Sequence, residues 1–338
     1  MASSSSVFLV GTGYIGRNVL DELLSAKHPV TALVRRPEQV SEMEKLGVTA
    51  VLGTLSDLDI LTAQTVRHEI TINTASCDDL PSVEAILSGV QQRVQERKPC
   101  TYIHTSGTGV LEDGSMGMYK NDKIYRDDMP EDIHAIPSAS MHRHVDIPIV
   151  QAARHLGNKA KVVIILPPLV YGFNSAHRRH SFGLVGLVRF AMKHGFAGYV
   201  GGGYNMWSVV HVKDLGRAYM SVLKFIETSG ADAFLKNPYF FAENGSEISM
   251  REGANHIARV LHDVGKIRTP QTHTFSEAHF HDVFGPLTPV GLGCNSRSRA
   301  IRLRELGWEP RETTDIWTSW KEDEIPSIIA MLDSASGQ

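Results

Sequence analysis

Cysteine is scarce in this 338-residue chain: Cys77, Cys100 and Cys294 are the only three, far apart, and no two form a CxxC pair. So small, odd and dispersed a set excludes a disulfide-stapled fold, and it fits free thiols in a reducing, cytoplasmic setting. Long apolar runs are missing too. The most apolar stretch, Val162–Val170, is interrupted by Pro167 and Pro168 and is far shorter than the ~20 residues of a membrane-spanning helix. The opening Met-Ala-Ser-Ser-Ser-Ser has neither the basic flank nor the apolar core of a secretion signal. An excess of one charge is likewise absent, since 34 Lys and Arg stand against 37 Asp and Glu, a formal charge of −3. That balance leaves no footprint for nucleic acid or an anionic membrane. The expected partner is a small-molecule substrate, with the chain a monomer or homodimer.

What is present is ordinary globular material, with 42% apolar and 21% charged residues. Short β-branched and apolar runs at Val7–Val10, Val30–Val34, Val48–Leu52, Ile70–Thr74, Thr101–His104 and Val162–Leu166 predict strands. Helical spacing over Arg17–Ala26, Glu38–Leu46, Val83–Arg97 and Val145–Leu156 places helices between them. The strand Val162–Leu166 has no polar alternation, as expected where helices cover both faces of a sheet. After Tyr171 the pattern loosens. Helices are predicted over Phe182–His194, Leu215–Glu227 and Met250–Val264, and strands over Trp207–Val212 and Tyr239–Ala242. Residues 265–296 are rich in Pro, Gly and His with weak periodicity. A last helix is expected around Arg299–Leu306, before Gly307-Trp308.

Gly11-Thr12-Gly13-Tyr14-Ile15-Gly16 follows the first strand and opens the first helix. Gly11 suits a tight turn, Gly13 lets backbone approach a pyrophosphate, and Gly16 lets helix and strand pack closely. The helix N-terminus offers free N–H groups and partial positive charge to the anion. Roughly 20 residues on, an acid would bind the ribose 2′-hydroxyl of NAD. Arg35 and Arg36 stand there instead. A guanidinium pairs with a 2′-phosphate, so the motif points to NADP(H). Glu38 is the alternative, an NAD reader beside two solvated arginines. The fold class is therefore α/β: a doubly wound parallel (Rossmann) sheet with a smaller C-terminal substrate region. Residues 1–172 are read as the dinucleotide-binding domain. Residues 173–338 are read as mainly substrate-binding, with segments returning to the sheet.

From about Val7 to Pro310 the chain resembles the extended and atypical short-chain dehydrogenases/reductases, the NAD-dependent epimerase/dehydratase-like branch. Besides Gly11–Gly16, the resemblance rests on Gly53-Thr54-Leu55-Ser56-Asp57, Asn73-Thr74-Ala75-Ser76, Pro167-Pro168-Leu169-Val170-Tyr171-Gly172, Val210-His211-Val212-Lys213-Asp214 and Leu306-Gly307-Trp308. It implies that Leu55 and Asp57 reach the adenine. It also implies that Ala75, Ser76, Thr105, Pro167 and Val170 lie along the cofactor. The family's catalytic set is a serine with a tyrosine and a lysine in YxxxK. Ser106 matches the serine, but residues 133–150 contain no tyrosine and no lysine. Anchored on Asp146 as the acid that often follows the lysine, His142 takes the lysine position and Ser138 the tyrosine position, with Arg143 a rival to His142. His142 would then serve as ribose ligand and as acid/base, with a pKa near the operating pH. Tyr119, Tyr125 and Tyr171 are substitute donors.

The resulting expectation is an NADP(H)-dependent oxidoreductase acting on a small carbonyl or alcohol. The alternatives are a non-redox isomerase, dehydratase or cyclase on the same fold, or an NmrA-like NADP-binding regulatory protein. Sixteen histidines invite a metal reading, but neither His142-x-His144 nor His279-x-His281 has a third ligand at a diagnostic spacing, so no metal is expected. His177-Arg178-Arg179-His180 is read as a solvated basic loop, or else as a partner for an acidic substrate or a cofactor phosphate. Gly201-Gly202-Gly203 is read as a mobile loop.

Overall fold

The structure, a computed structural model, describes residues 5–336. Its first half runs β1 (Val7–Val10), α1 (Tyr14–Ser25), β2 (Val30–Val34), α2 (Pro37–Glu44), β3 (Thr49–Leu52), α3 (Leu58–Arg67), β4 (Ile70–Asn73), α4 (Leu80–Gln95) and β5 (Thr101–Thr105). After a long loop come a short strand β6 (Tyr125–Arg126), α5 (Pro130–His134), α6 (Arg143–Leu156), β7 (Lys161–Leu166) and β8 (Leu169–Tyr171). Then follow α7 (Phe182–His194), β9 (Gly198–Tyr199), β10 (Met206–His211), α8 (Val212–Thr228), α9 (Asp232–Lys236), β11 (Tyr239–Phe241), β12 (Glu247–Ser249) and α10 (Met250–Asp263).

Seven strands form one parallel sheet in the order β11-β7-β5-β4-β1-β2-β3. The winding direction reverses between β1 and β4, which opens a crevice beyond their carboxyl ends. Strands β1, β2, β4 and β5 are buried along their whole length and β7 along nearly all of it. Such strands are stable only between two helical layers, which is why their sequences lack polar alternation. A three-stranded sheet, β12-β10-β8, lies beyond this frame.

Two main apolar cores divide the chain unevenly. The larger joins residues 7–166 to Val210–Ala242 and to Ala300, Leu303 and Trp308. The second gathers Leu184 and Val188 of α7, Ile257 and Leu261 of α10, and Ile316, Trp320, Ile325 and Ile328 near the C-terminus. The helix expected around Arg299–Leu306 is shorter, Ile301–Glu305, and is not the last. Helices at Ile316–Ser319 and Ile325–Ser336 follow, joined by a π-helical turn at Trp320–Glu324. The extra residue of that turn shifts the apolar phase, so no single period runs through the segment. Residues 265–296 hold short helices at Glu277–Val283 and Thr288–Gly293. The three glycines at 201–203 are packed rather than loose: Gly202 and Tyr204 donate their N–H groups to the Gly117 carbonyl.

Candidate functional site

The crevice at the β1–β4 switch point is built by glycines. Gly11 has φ +95°, and a Cβ there would lie 2.7 Å from the Ala75 backbone. At Gly16 a Cβ would come within 2.0 Å of the Gly11 carbonyl, which accepts instead from the Thr74 hydroxyl at 2.8 Å. Gly13 caps α1 with no side chain, and nothing lies within 4 Å of where its Cβ would be. The result is a groove of about 460 Å³ floored by Gly11–Gly13 and Ala75. The free N–H groups at the start of α1 adjoin it. That arrangement fits a dinucleotide pyrophosphate.

At the other end of the groove are Arg35, Arg36, Gln39, Leu55 and Ser56, joined by Arg179 from the second half of the chain. Gln39 turns its amide oxygen back on the N–H groups of Arg35 and Arg36, each at 3.2 Å, and so fixes the entry to α2. Among the described residues neither guanidinium of that pair is in an ion pair. Three arginines and no carboxylate line the groove; Glu38 does not. Arg179, in a loop read from the sequence as solvated or else as a partner for an acidic substrate or a cofactor phosphate, is held by Glu42 of α2 at 3.3 Å. The basic cluster was legible in the sequence, but its position over α2 depends on how the loop after β8 folds.

Several residues expected along the cofactor are engaged elsewhere. Asp57 accepts from the N–H and hydroxyl of Thr54 at 2.6 and 2.8 Å, so its carboxyl is held low while it closes the turn before α3. Tyr14 is half-buried and donates to the Gly172 carbonyl at 2.7 Å, tying α1 to the loop after β8. Ile15 packs against the main core. The Thr105 hydroxyl meets Tyr219 of α8 at 2.5 Å. Ser76 accepts from the Asp78 N–H at 3.1 Å. The Pro167 carbonyl accepts from Thr108 N–H at 3.0 Å. Val170 pairs with Val210 and faces an apolar cavity of about 70 Å³, walled by Leu184, Leu187, Met250 and Trp320 among others.

The chemistry end forms where β5 meets the start of α6. Ser106, 5% exposed, donates its hydroxyl to Asp146 at 3.0 Å. Burial raises the Asp146 carboxyl to about 6, against the opposing pull of Ser106 and the cations His142 and Arg143. His142 caps α6 in the left-handed conformation, with φ 65°. Its Nδ1 lies 2.7 Å from Asp78, and its Nε2 lies against Gly107 and Gly109. Burial alone would lower the imidazole, but the hydrogen bond to Asp78 and the nearby Cys77 bring it up to about 10. His142 is thus an imidazolium across the physiological range, where the sequence reading had a group titrating near neutrality.

The predicted Ser138–His142 helical turn does not exist. The helix begins at Arg143, and Ser138 is exposed in the preceding turn. Among the described residues none of the substitute tyrosines is hydrogen-bonded to Ser106. Tyr171 donates to the Thr314 carbonyl at 3.1 Å, Tyr125 stacks under Lys123, and Tyr119 is exposed on its loop. Behind Ser106, burial pushes His104 down to about 3, so it stays neutral beside the Tyr102 hydroxyl at 3.0 Å.

All three cysteines are free thiols. Cys77 lies beside Asp78, with its thiol 3.4 Å from the carboxylate. Cys77, Asp78 and His142 bring a thiol, a carboxylate and an imidazole within 4.8 Å of one another. Asp78 had no signal in the sequence, since it meets its histidine across 64 positions.

Comparison with known proteins agrees with this geometry. A family described as NAD(P)H-binding matches residues 11–128. Over 333 residues the chain is 26% identical to oxidase ucsJ of an Acremonium species, covering 91% of this chain and 93% of that protein. Among solved structures, UDP-glucose 4-epimerase of Thermotoga maritima superposes with a TM-score of 0.65 at 16% identity, covering 97% of this chain and 99% of that one. Yeast methylglyoxal/isovaleraldehyde reductase Gre2 in complex with NADPH superposes with a TM-score of 0.62 at 14% identity, with the same coverage. No helix among the described residues is long and apolar enough to cross a membrane.

Proposed function

We propose that this chain, a member of the extended short-chain dehydrogenase/reductase superfamily, is an NADP(H)-dependent oxidoreductase for a small carbonyl or alcohol with an apolar flank. The observation that carries the cofactor choice is the groove lining: Arg35, Arg36 and Arg179 converge on its adenosine end and no acid faces it. A carboxylate there would repel a 2′-phosphate, and each guanidinium bond to it is worth roughly tenfold or more in affinity. The apolar cavity beside Val170 supports the substrate class, since sugar hydroxyls buried there would lose their hydrogen bonds.

Bound in the groove, the nicotinamide supplies or receives a hydride. The protein must then supply a proton to the substrate oxygen, and the structure has no Tyr–Lys pair at α6 to do so. Ser106 and Asp146 are the pair that can. In reduction the Ser106 hydroxyl passes its proton to the oxygen and takes one from the Asp146 carboxylic acid. In oxidation the proton runs the other way. The His142 imidazolium, anchored by Asp78, lowers the cost of negative charge forming at this end of the cleft. His142 is therefore an electrostatic group here and Asp146 the titrating one.

Calorimetric titration with NADPH and NADH, followed by a panel of apolar aldehydes and ketones, tests the proposal. Tighter NADPH binding with carbonyl-dependent NADPH oxidation is expected. Equal affinity for the two cofactors would remove the NADP reading. Tight NADPH binding with no hydride transfer to any carbonyl would favour the non-redox or regulatory alternatives.

A further inference from the structure

The first residue of α6 is a buried cation that forms no ion pair among the described residues. Arg143 is 4% exposed, and its Nε and Nη1 are buried without a hydrogen-bond partner. The same is true of His134 Nε2 on α5 and of the Tyr239 hydroxyl on β11. All three side chains line one cavity of about 230 Å³. The His134 and Tyr239 rings stand 5.3 Å apart, edge to face. Gln151 and Arg154, further along α6, complete the lining, with Ile147 and Val150 as its apolar wall.

Two acids lie nearby and neither neutralises the site. Glu131 acts on His134, and Asp146 acts on both Tyr239 and Arg143 without pairing with the guanidinium, which itself lies against the Tyr239 phenol. Among the described residues, neither Arg143 nor Arg154 forms an ion pair. A guanidinium cannot shed its charge by deprotonation, and a buried charge is costly unless an opposite charge meets it. Four unsatisfied polar atoms from three elements thus surround one space, and the missing component is an anion.

We propose that the cavity between α5, α6 and β11 binds a phosphate group, free or carried by a small metabolite. Two guanidiniums, an imidazole, a phenol and an amide approach from different elements. That donor set exceeds what the two oxygens of one carboxylate can accept, and it suits a tetrahedral oxyanion. The site is separate from the nucleotide groove and shares no residue with it. It lies at the helix start that also positions His142 and Asp146, so an occupant would brace that start.

Thermal unfolding in phosphate against chloride at equal ionic strength tests this, with isothermal titration of inorganic phosphate and of glycerol phosphate. The wild type should melt ~2–4 °C higher in saturating phosphate. Arg154→Gln, at an exposed position, should abolish that rise. Arg36→Gln, in the nucleotide groove, should keep it. Arg143→Met should melt higher than wild type in chloride and be indifferent to phosphate, because it removes an uncompensated buried charge. A destabilised Arg143→Met would leave Arg154→Gln to decide by titration. A response from both phosphate compounds supports a carried group, and one from inorganic phosphate alone supports the free ion. The proposal is overturned if the wild type ignores phosphate. It is equally overturned if the response survives Arg154→Gln and disappears in Arg36→Gln, which would place the ion in the nucleotide groove.

Discussion

The two ends of the cleft are built in opposite ways. The nucleotide end uses backbone: glycines at 11, 13 and 16, helix N–H groups, and arginines directly after β2. Most of it comes from the stretch 11–39, with the rest from the loops after β3 and β4 and from Arg179. The chemistry end uses side chains from three distant segments, with Ser106 after β5, Asp78 after β4, and His142 and Asp146 at α6. An end made from local backbone tolerates little change, since a Cβ at Gly11 or Gly16 has nowhere to go. An end made from separate side chains can exchange its members while keeping a proton path. Here a Ser–Asp pair lies beside an imidazolium, and residues 133–150 contain no tyrosine and no lysine.

Removing the proton path should produce the largest effect. Ser106→Ala and Asp146→Asn are each expected to lower turnover by about 10²–10⁴-fold, with NADPH affinity within a few-fold of wild type. Equal losses in affinity and turnover would mean that the two ends are not separable. Their double variant should be no worse than either single one, because the residues act as one unit.

The next effect concerns stability and lies outside the cleft. Glu324 is buried, accepts from Gly172 N–H at 2.9 Å and from the Ser319 hydroxyl at 2.8 Å, and is raised by burial to about 7. A raised carboxyl favours the native state most while protonated. Its contribution is complete below the unfolded value near 4.5 and is lost as pH rises through about 7. Glu324→Gln should flatten the decline in melting temperature between pH 5 and 8, by up to ~2–3 kcal/mol. An unchanged slope would show that Glu324 ionises without cost.

At the nucleotide end, Arg36→Gln should weaken NADPH binding by about tenfold and leave NADH nearly unchanged. A matching loss for NADH would move Arg36 from the 2′-phosphate to the pyrophosphate. The smallest effect is expected at Cys77. Its thiol adjoins Asp78 and His142 but takes no part in the proton path, so Cys77→Ser should change turnover by less than about threefold. A loss of a hundredfold would make the thiol a reacting group.

The same division explains what could be read from the sequence. The individual strands and helices, the glycine loop and the arginines after β2 are set by local sequence, and periodicity with turn chemistry reveals them. The start of α6 was misread because the expected YxxxK helix imposed a register on residues 138–142. The chain instead takes a left-handed turn at His142 and enters the helix one residue later. The His142–Asp78 contact, the Arg179 placement and the C-terminal π-turn have no local signature. Each depends on tertiary packing that sets a side chain against one far away, or on an extra residue that breaks the helical period.

The most direct measurement is the pH dependence of single-turnover NADPH oxidation by an apolar aldehyde, for wild type and Asp146→Asn. The wild-type rate should fall as pH rises through about 6, where the buried Asp146 acid loses its proton. The variant should be slow and lack that inflection. A wild-type rate that holds flat to pH 9, or an inflection near 6 that persists in Asp146→Asn, would contradict the Ser106–Asp146 proton path.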